Sequence, residues 1–392
     1  MALKKKIILA YSGGLDTSCC VAYLKDKGFD VICFSANLGS EFSPQELKKM
    51  ARKSGVSKLY VKDLRSELAD EYILPSLKAG AVYQGKYLLS TALGRPLIAK
   101  YLVEVAKKEK ATYVAHGCSA KGNDQVRLET AIKALNSKLK VIAPLREWSL
   151  TSRDSEIEYA KSKKIPIKAT KEKIYSIDKN IWGVSIEAGI LEDLDKEPDQ
   201  SAFILTKSLE KTPGKSQYVD IEFKGGKPVK LNGQSLDLVN LIERLNNIGG
   251  KHCIGRTDLV EDRTVGIKSR EIYEAPAAWI LYRAHKELES LTLDRVTLQF
   301  KEFVSLEYSR LAYQGLWFSS LKKALDSFID SVQTRVTGKV RLKLFKGNII
   351  VSKRSSEYSL YSKSLATYGK QDSFNRNWAD GFINIWSMPF RG

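Results

Sequence analysis

Short apolar runs alternate with longer amphipathic stretches through roughly the first 165 residues. This alternation predicts an α/β unit, a parallel sheet with helices on both faces. Residues 6–11 and 31–35 read as strands. Between them, residues 17–27 place Cys20, Val21 and Leu24 at helical spacing and meet Gly28 as a stop, which completes one strand–helix–strand unit. Ser43-Pro44-Gln45-Glu46 predicts a helix start, with serine before a first-turn proline and a glutamate three residues on to complete a capping box. That helix runs to about Ser54 and closes at Gly55. Residues 113–116 and 141–143 read as two further buried strands, separated by a Gly-rich loop and a helix from about Gln125 to Leu135.

After Pro166 the alternation breaks down. A polar stretch, 193–214, leads into 218–223, where Tyr218, Asp220 and Glu222 alternate with Val219, Ile221 and Phe223 as in an antiparallel strand. A hairpin over 338–351 turns at Lys346-Gly347-Asn348. The second part is therefore expected to be α+β. At the end of the chain, Phe374, Trp378, Phe382 and Ile385 fall on one face of a helix capped by Asp372 or Ser373, an apolar stripe suited to an intersubunit contact.

The sharpest chemical signal lies between the first strand and the first helix, at Ala10-Tyr11-Ser12-Gly13-Gly14-Leu15-Asp16-Thr17-Ser18. Adjacent glycines let the backbone turn tightly against a ligand, and the following helix offers unpaired N–H groups to an anion. Ser12, Thr17 and Ser18 add hydroxyls. The spacing matches neither the GxxxxGK[ST] loop nor the dinucleotide GxGxxG. Asp16, an acceptor in an anion site, makes sense if Mg²⁺ bridges it to phosphates. A second constellation, Ala115-His116-Gly117-Cys118-Ser119-Ala120-Lys121-Gly122-Asn123-Asp124-Gln125-Val126-Arg127, follows a strand and so falls at the carboxyl edge of the sheet, facing the loop. Ser119, Asn123 and Asp124 offer a hydroxyl, an amide and a carboxylate, and Arg127 can hold a carboxylate through two parallel bonds.

SGGxD[ST] resembles the pyrophosphate loop of enzymes that split ATP between its α and β phosphates. With the segments 87–96, 115–127, 143–148, 175–178, 186–192 and 255–274 in the same order, the chain resembles the argininosuccinate synthase family over nearly its whole length. The resemblance implies a Rossmann-like doubly wound nucleotide-binding domain at 1–165, a synthetase domain at 166–370 and a C-terminal oligomerisation helix at 371–392. It implies ATP as substrate with Mg²⁺, citrulline and aspartate as the other substrates, a citrullyl-adenylate, a place in arginine biosynthesis and a homotetramer. Ala10 to Ser18, Ala36 and Gly117 would form the ATP site. Tyr87, Thr91, Asn123, Arg127, Ser176, Ser185, Glu261 and Tyr273 would hold citrulline, while Ser119, Asn123 and Asp124 would contact aspartate. Asp16 and Asp124 are the catalytic candidates, Asp124 orienting the attacking amine or taking its proton; His116 either assists or is structural. Ser119 replaces the usual threonine, Ala120 a glycine, Leu145 a tryptophan, Asp262 an asparagine, and Ala92 stands where some members carry serine.

Composition narrows the rest. Five cysteines without a CxxC pair suit reduced thiols in a cytoplasmic enzyme. No apolar run approaches the ~20 residues that span a bilayer. The net charge of +19 attracts anions without choosing among them. It also admits a tRNA-modifying ATP pyrophosphatase, but such sulfur-transfer enzymes use reactive cysteines and the downstream segments point to amino acids, so no nucleic acid is expected. A noncatalytic nucleotide-binding subunit is the remaining alternative.

Overall fold

Strand β1 (Lys6–Ala10) shows how the first half is built. Ile7 and Leu9 join a core with Val21, Leu24, Leu47 and Ala51, whereas Ile8 joins a different one with Leu93, Leu97, Leu102 and Leu128. A strand buried on both faces needs helices on both, and parallel crossover connections supply them. The computed structural model, which describes residues 4–40, 43–148, 150, 153–165 and 175–392, meets that demand. β1, β2 (Asp30–Asn37), β3 (Lys58–Asp63), β4 (Tyr113–Ala115) and β5 (Lys140–Ile142) form one sheet in the order β3-β2-β1-β4-β5, every pair parallel. Helices Leu15–Asp26 and Pro44–Lys53 cover one face; Ser90–Glu109 and Asn123–Leu135 cover the other. This is the expected Rossmann-like doubly wound arrangement. The strand order reverses between β1 and β4, which opens a crevice at their carboxyl ends.

Two departures from the sequence expectation have one cause. The helices expected at 17–27 and from Gln125 begin two residues earlier, at Leu15 and Asn123, directly after Gly14 and Gly122 in extended backbone. Neither glycine supplies a side-chain cap, so the usual Ser/Thr/Asp/Asn start signal is missing and first-turn N–H groups stay free. At the conventional start, Ser43 Oγ does accept from the Glu46 N–H at 3.3 Å. β3 escaped the sequence reading because, as an edge strand, it keeps charged residues in Lys58-Leu59-Tyr60-Val61-Lys62-Asp63.

The second half contains β6 (Ser176–Asn180), β7 (Gly183–Glu187), β8 (Gln217–Lys224), β9 (Lys227–Leu231), β10 (Gln234–Ser235), β11 (Arg256–Asp262), β12 (Lys268–Glu274), β13 (Gly338–Phe345) and β14 (Asn348–Ser355). They form two antiparallel sheets, β11-β12-β7-β6 and β10-β9-β8-β13-β14. Helices Leu238–Lys251, Pro276–Thr292, Arg295–Tyr313 and Ser320–Gln333 complete an α+β unit. The hairpin expected over 338–351 is β13–β14. Lys346 and Gly347 both have positive φ, 43° and 79°, as a two-residue turn of this hand requires. The break expected at Pro166 lies outside the described residues.

The C-terminal helix is shorter than expected, Asn377–Ser387, and Arg376 rather than Asp372 or Ser373 precedes it. Asp372 instead accepts from the Phe374 N–H at 2.9 Å, so Phe374 sits in a turn before the helix. Trp378, Phe382 and Ile385 are 65%, 58% and 72% exposed, left uncovered by their own chain.

A buried tryptophan helps to join the halves. Trp182, at the β6–β7 turn and 1% exposed, donates its indole N–H to the Leu88 carbonyl at 2.8 Å, just before helix Ser90–Glu109. Removing it leaves a large cavity and an unsatisfied carbonyl between the two halves. Trp182→Ala is expected to cost about 3–5 kcal/mol, read as a lower midpoint in urea or thermal unfolding.

Candidate active site

A cleft of about 650 Å³ opens at the β1/β4 crevice and continues onto the β11-β12-β7-β6 sheet. On the side of the glycine loop, Ala10 ends β1 and Gly13 turns with φ +78°. Ser12 Oγ lies 3.1 Å from Thr17 Oγ1 and accepts from the Gly14 N–H at 3.3 Å. Beyond this turn, the uncapped end of helix Leu15–Asp26 presents the positive end of its dipole. Gly117, after β4, packs against it: a Cβ there would meet Thr17 Cγ2 at 3.2 Å and Cys20 Sγ at 3.5 Å. Ala10, Tyr11, Ser12, Asp16, Thr17, Ala36 and Gly117 line the cleft; Gly13, Gly14 and Leu15 are not among the lining residues. Ser18 does not line the cleft. It is 1% exposed, and its Oγ lies 3.2 Å from the Tyr11 hydroxyl, so it braces the loop.

Opposite, the two-residue period of the strands builds a polar wall. Val184, Ile186 and Ile272 turn into a small core, so Ser185 and Glu187 of β7 and Glu271 and Tyr273 of β12 face the cleft. Register sets Tyr273 beside Ser185, and Ser185 beside Asp178 of β6. Tyr273 stacks on Tyr87 with centroids 3.9 Å apart. The Tyr87 hydroxyl lies 2.7 Å from Thr91 Oγ1, itself 3.1 Å from Ser185 Oγ. Ser176 lies at the mouth. Glu261, 2% exposed, accepts from the hydroxyls of Tyr273 and Tyr313, the latter at 2.5 Å. Burial pushes its carboxyl up, against the lowering effect of those two bonds and of Arg127.

The helix Asn123–Leu135 joins these walls. Asn123 Nδ2 donates to Tyr313 Oη at 2.8 Å and its Oδ1 accepts from the Thr264 N–H at 2.7 Å. Arg127 donates through Nε to the Tyr313 carbonyl at 2.7 Å, with its guanidinium 4.7 Å from the Tyr313 ring. Asp124 accepts from Arg95 at 2.6 Å and Arg127 at 3.2 Å, and Arg95 also pairs with Asp178. Burial would raise the Asp124 carboxyl, but Arg95 and then Arg127 outweigh it and hold it at about 2. So stabilised, a carboxylate is a poor proton acceptor. Both ring nitrogens of His116 are engaged within the protein: Nδ1 accepts from the Cys118 N–H at 3.2 Å, so Nε2 carries the proton toward Glu129, 3.0 Å away. Ala120 is absent from the residues with positive φ, so alanine is unstrained there; Ala92 is buried behind the wall.

Every citrulline and aspartate candidate named from the sequence lines this one cleft. Arg95, Asp178, Lys179, Glu187, Arg263, Glu271 and the supporting Tyr313 were not singled out. Arg95, Asp178, Glu187, Arg263 and Glu271 lay inside matched segments. Arg263 sits in a turn, and Tyr313 ends a helix where it reads as core. Six carboxylates and four cationic side chains line the cleft, so the surplus positive charge of the chain is not concentrated in it. Among the described residues no group of His, Cys, Asp and Glu is arranged to hold a metal ion by itself.

Two family descriptions match the chain: "Arginosuccinate synthase N-terminal HUP domain" over residues 6–166 and "Arginosuccinate synthase C-terminal domain" over 175–391. Among curated relatives, argininosuccinate synthase of Carboxydothermus hydrogenoformans is 51% identical over 390 residues, 99% of this chain and 97% of the relative. Those of Pelotomaculum thermopropionicum and Caldanaerobacter subterraneus are 51% and 52% identical, covering 98% and 99% of this chain and 96% and 95% of theirs.

The Asp124 ion pairs make a pH prediction. A carboxyl lowered from an ordinary 3.8 to about 2 contributes stability fully above the unfolded value, and that contribution disappears as pH falls through about 2. Asp124→Asn should therefore be less stable than the parent at pH 6, with the gap closing between about pH 4 and 2. Chemical denaturation across that range measures it; a pH-independent gap would mean that the pairs contribute nothing.

Proposed function

The chain belongs to the argininosuccinate synthase family, an ATP-using carbon–nitrogen ligase family of arginine biosynthesis, and from that premise we propose how its own residues perform the ligation of citrulline to aspartate. The observation that carries the reading is the opposition, within one cleft, of an uncapped phosphate loop and a wall of fixed hydrogen-bonding groups. The ATP phosphates lie along Ser12 to Thr17, with Ala36 and Gly117 bordering the nucleotide. Asp16 with the Ser12 and Thr17 hydroxyls offers the hard oxygen donors that Mg²⁺ takes beside phosphate. Held there, Mg²⁺ would supply charge neutralisation for the leaving pyrophosphate.

Citrulline is a neutral ureido group on a zwitterionic stem. Arg127 suits its carboxylate and Glu261 its ammonium, while Tyr87, Thr91, Asn123, Ser176, Ser185 and Tyr273 supply uncharged contacts. Aspartate binds at Ser119, Asn123 and Asp124. The ureido oxygen attacks the α-phosphorus and pyrophosphate leaves. The aspartate amine then bonds to the ureido carbon, the C–O bond to AMP breaks, and the amine gives up a proton. Charge stabilisation and positioning do most of this work. The sulfur-transfer alternative needs a thiolate. Burial, and then Asp124, push the Cys118 thiol up to about 12, which keeps it protonated near neutrality. The exposed aromatic C-terminal helix supports a homotetramer, and five free thiols support a cytoplasmic setting.

Citrulline labelled at the ureido oxygen, incubated with ATP and aspartate, should pass its label to AMP and give aspartate-dependent product. AMP and pyrophosphate without label transfer would sink the adenylate. Arg127→Leu should raise the citrulline KM by roughly 100-fold with a smaller effect on ATP; an unchanged citrulline dependence removes Arg127 from the site.

A further inference from the structure

The turn between β11 and β12 crosses from the second half to the first, and Arg263 is its hub. Nη2 lies 2.6 Å from Glu187 Oε2 and 2.7 Å from Glu271 Oε1, and Nη1 donates to the Lys121 carbonyl at 3.1 Å. The next residue, Thr264, donates its N–H to Asn123 Oδ1. On its other side the turn is held by the Tyr83 hydroxyl, which donates to the Asp262 carbonyl at 2.8 Å, and by Gln84 Nε2, 2.6 Å from Asp262 Oδ2. β7, β12 and the loop leading to Asn123 thus meet at one guanidinium that is 14% exposed.

This arrangement sets what Asn123 shows to a ligand. Its amide has an acceptor end and a donor end, and a backbone N–H satisfies only the oxygen. The Thr264 N–H therefore turns the amide nitrogen toward Tyr313 Oη and Glu261 Oε1. Without the guanidinium, Glu187 and Glu271 would face one another as like charges, and the Lys121 carbonyl would lose its donor. Burial and then Glu187 already push the Glu271 carboxyl up, with Arg263 opposing them. An ammonium lacks the planar fork that serves two carboxylates and a carbonyl at once.

We propose that Arg263 is a positioning residue for the amino-acid half of the reaction, clamping the β11–β12 turn to the 119–124 loop so that Asn123 keeps a single amide orientation toward citrulline and aspartate. The inference rests on the reading of Asn123 as an amino-acid contact. Steady-state kinetics with each of the three substrates, on the parent, Arg263→Met and Arg263→Lys, tests it. Arg263→Met should raise the KM for aspartate and citrulline about 10- to 100-fold, with the KM for ATP within about twofold and ATP still raising the melting temperature. Arg263→Lys should fall between the two. Unchanged amino-acid KM values, or a parallel rise in all three, overturn the proposal; should the methionine variant not fold, the lysine variant decides by the same split. An inactive parent would overturn the functional reading and this inference with it, whereas an active parent with silent Arg263 variants overturns the inference alone.

Discussion

Burial of β1 on both faces is the constraint on which the rest depends. With Ile7 and Leu9 in one core and Ile8 in another, the chain must leave β1 through a helix on one face and return to build β4 through helices on the other. The strand order then reverses beside β1, and the loops that follow β1 and β4 are left facing each other. Both loops end in a glycine that begins a helix without capping it. Amides that a serine or aspartate would normally satisfy stay available to a ligand, so the sheet supplies the crevice and the missing caps supply its donors.

The second half contributes a surface of a different kind. Alternation along β7 and β12 sends aliphatic residues into a small core and Ser185, Glu187, Glu271 and Tyr273 toward the crevice. Few of these groups are left to settle on their own. Glu261 is gripped by two tyrosines, Asp124 by two arginines, and Asn123 at both ends of its amide. A site that must hold two zwitterionic amino acids beside a polyanion needs balanced charge in fixed places. The mixed lining supplies that balance, although the whole chain carries +19.

Much of this was legible in residue order. Strands β1, β2, β4 and β5 and the glycine loop follow from local apolar runs and punctuation, because a buried parallel strand must be apolar along its length. The ordered segments brought Tyr87, Asn123, Arg127, Ser185, Glu261 and Tyr273 to notice together. What failed depended on context. β3 looked polar because it is an edge, the packing of Ser18 against Tyr11 is invisible in sequence, and the C-terminal helix start was misplaced because Asp372 caps a turn instead.

The sequence by itself determined the doubly wound first half and the glycine loop, which rest on period and glycine placement, and the family, which rests on the resemblance of ordered segments along nearly the whole chain. Only the tertiary structure decided that Asp124 is a pinned carboxylate, that His116 faces Glu129, and that Arg263 stands between Glu187, Glu271 and Lys121. Those properties arise between residues as far as 142 positions apart, as for Arg263 and Lys121. The charge a side chain feels is set by neighbours in space, which the two-residue and 3.6-residue periods of local structure do not encode.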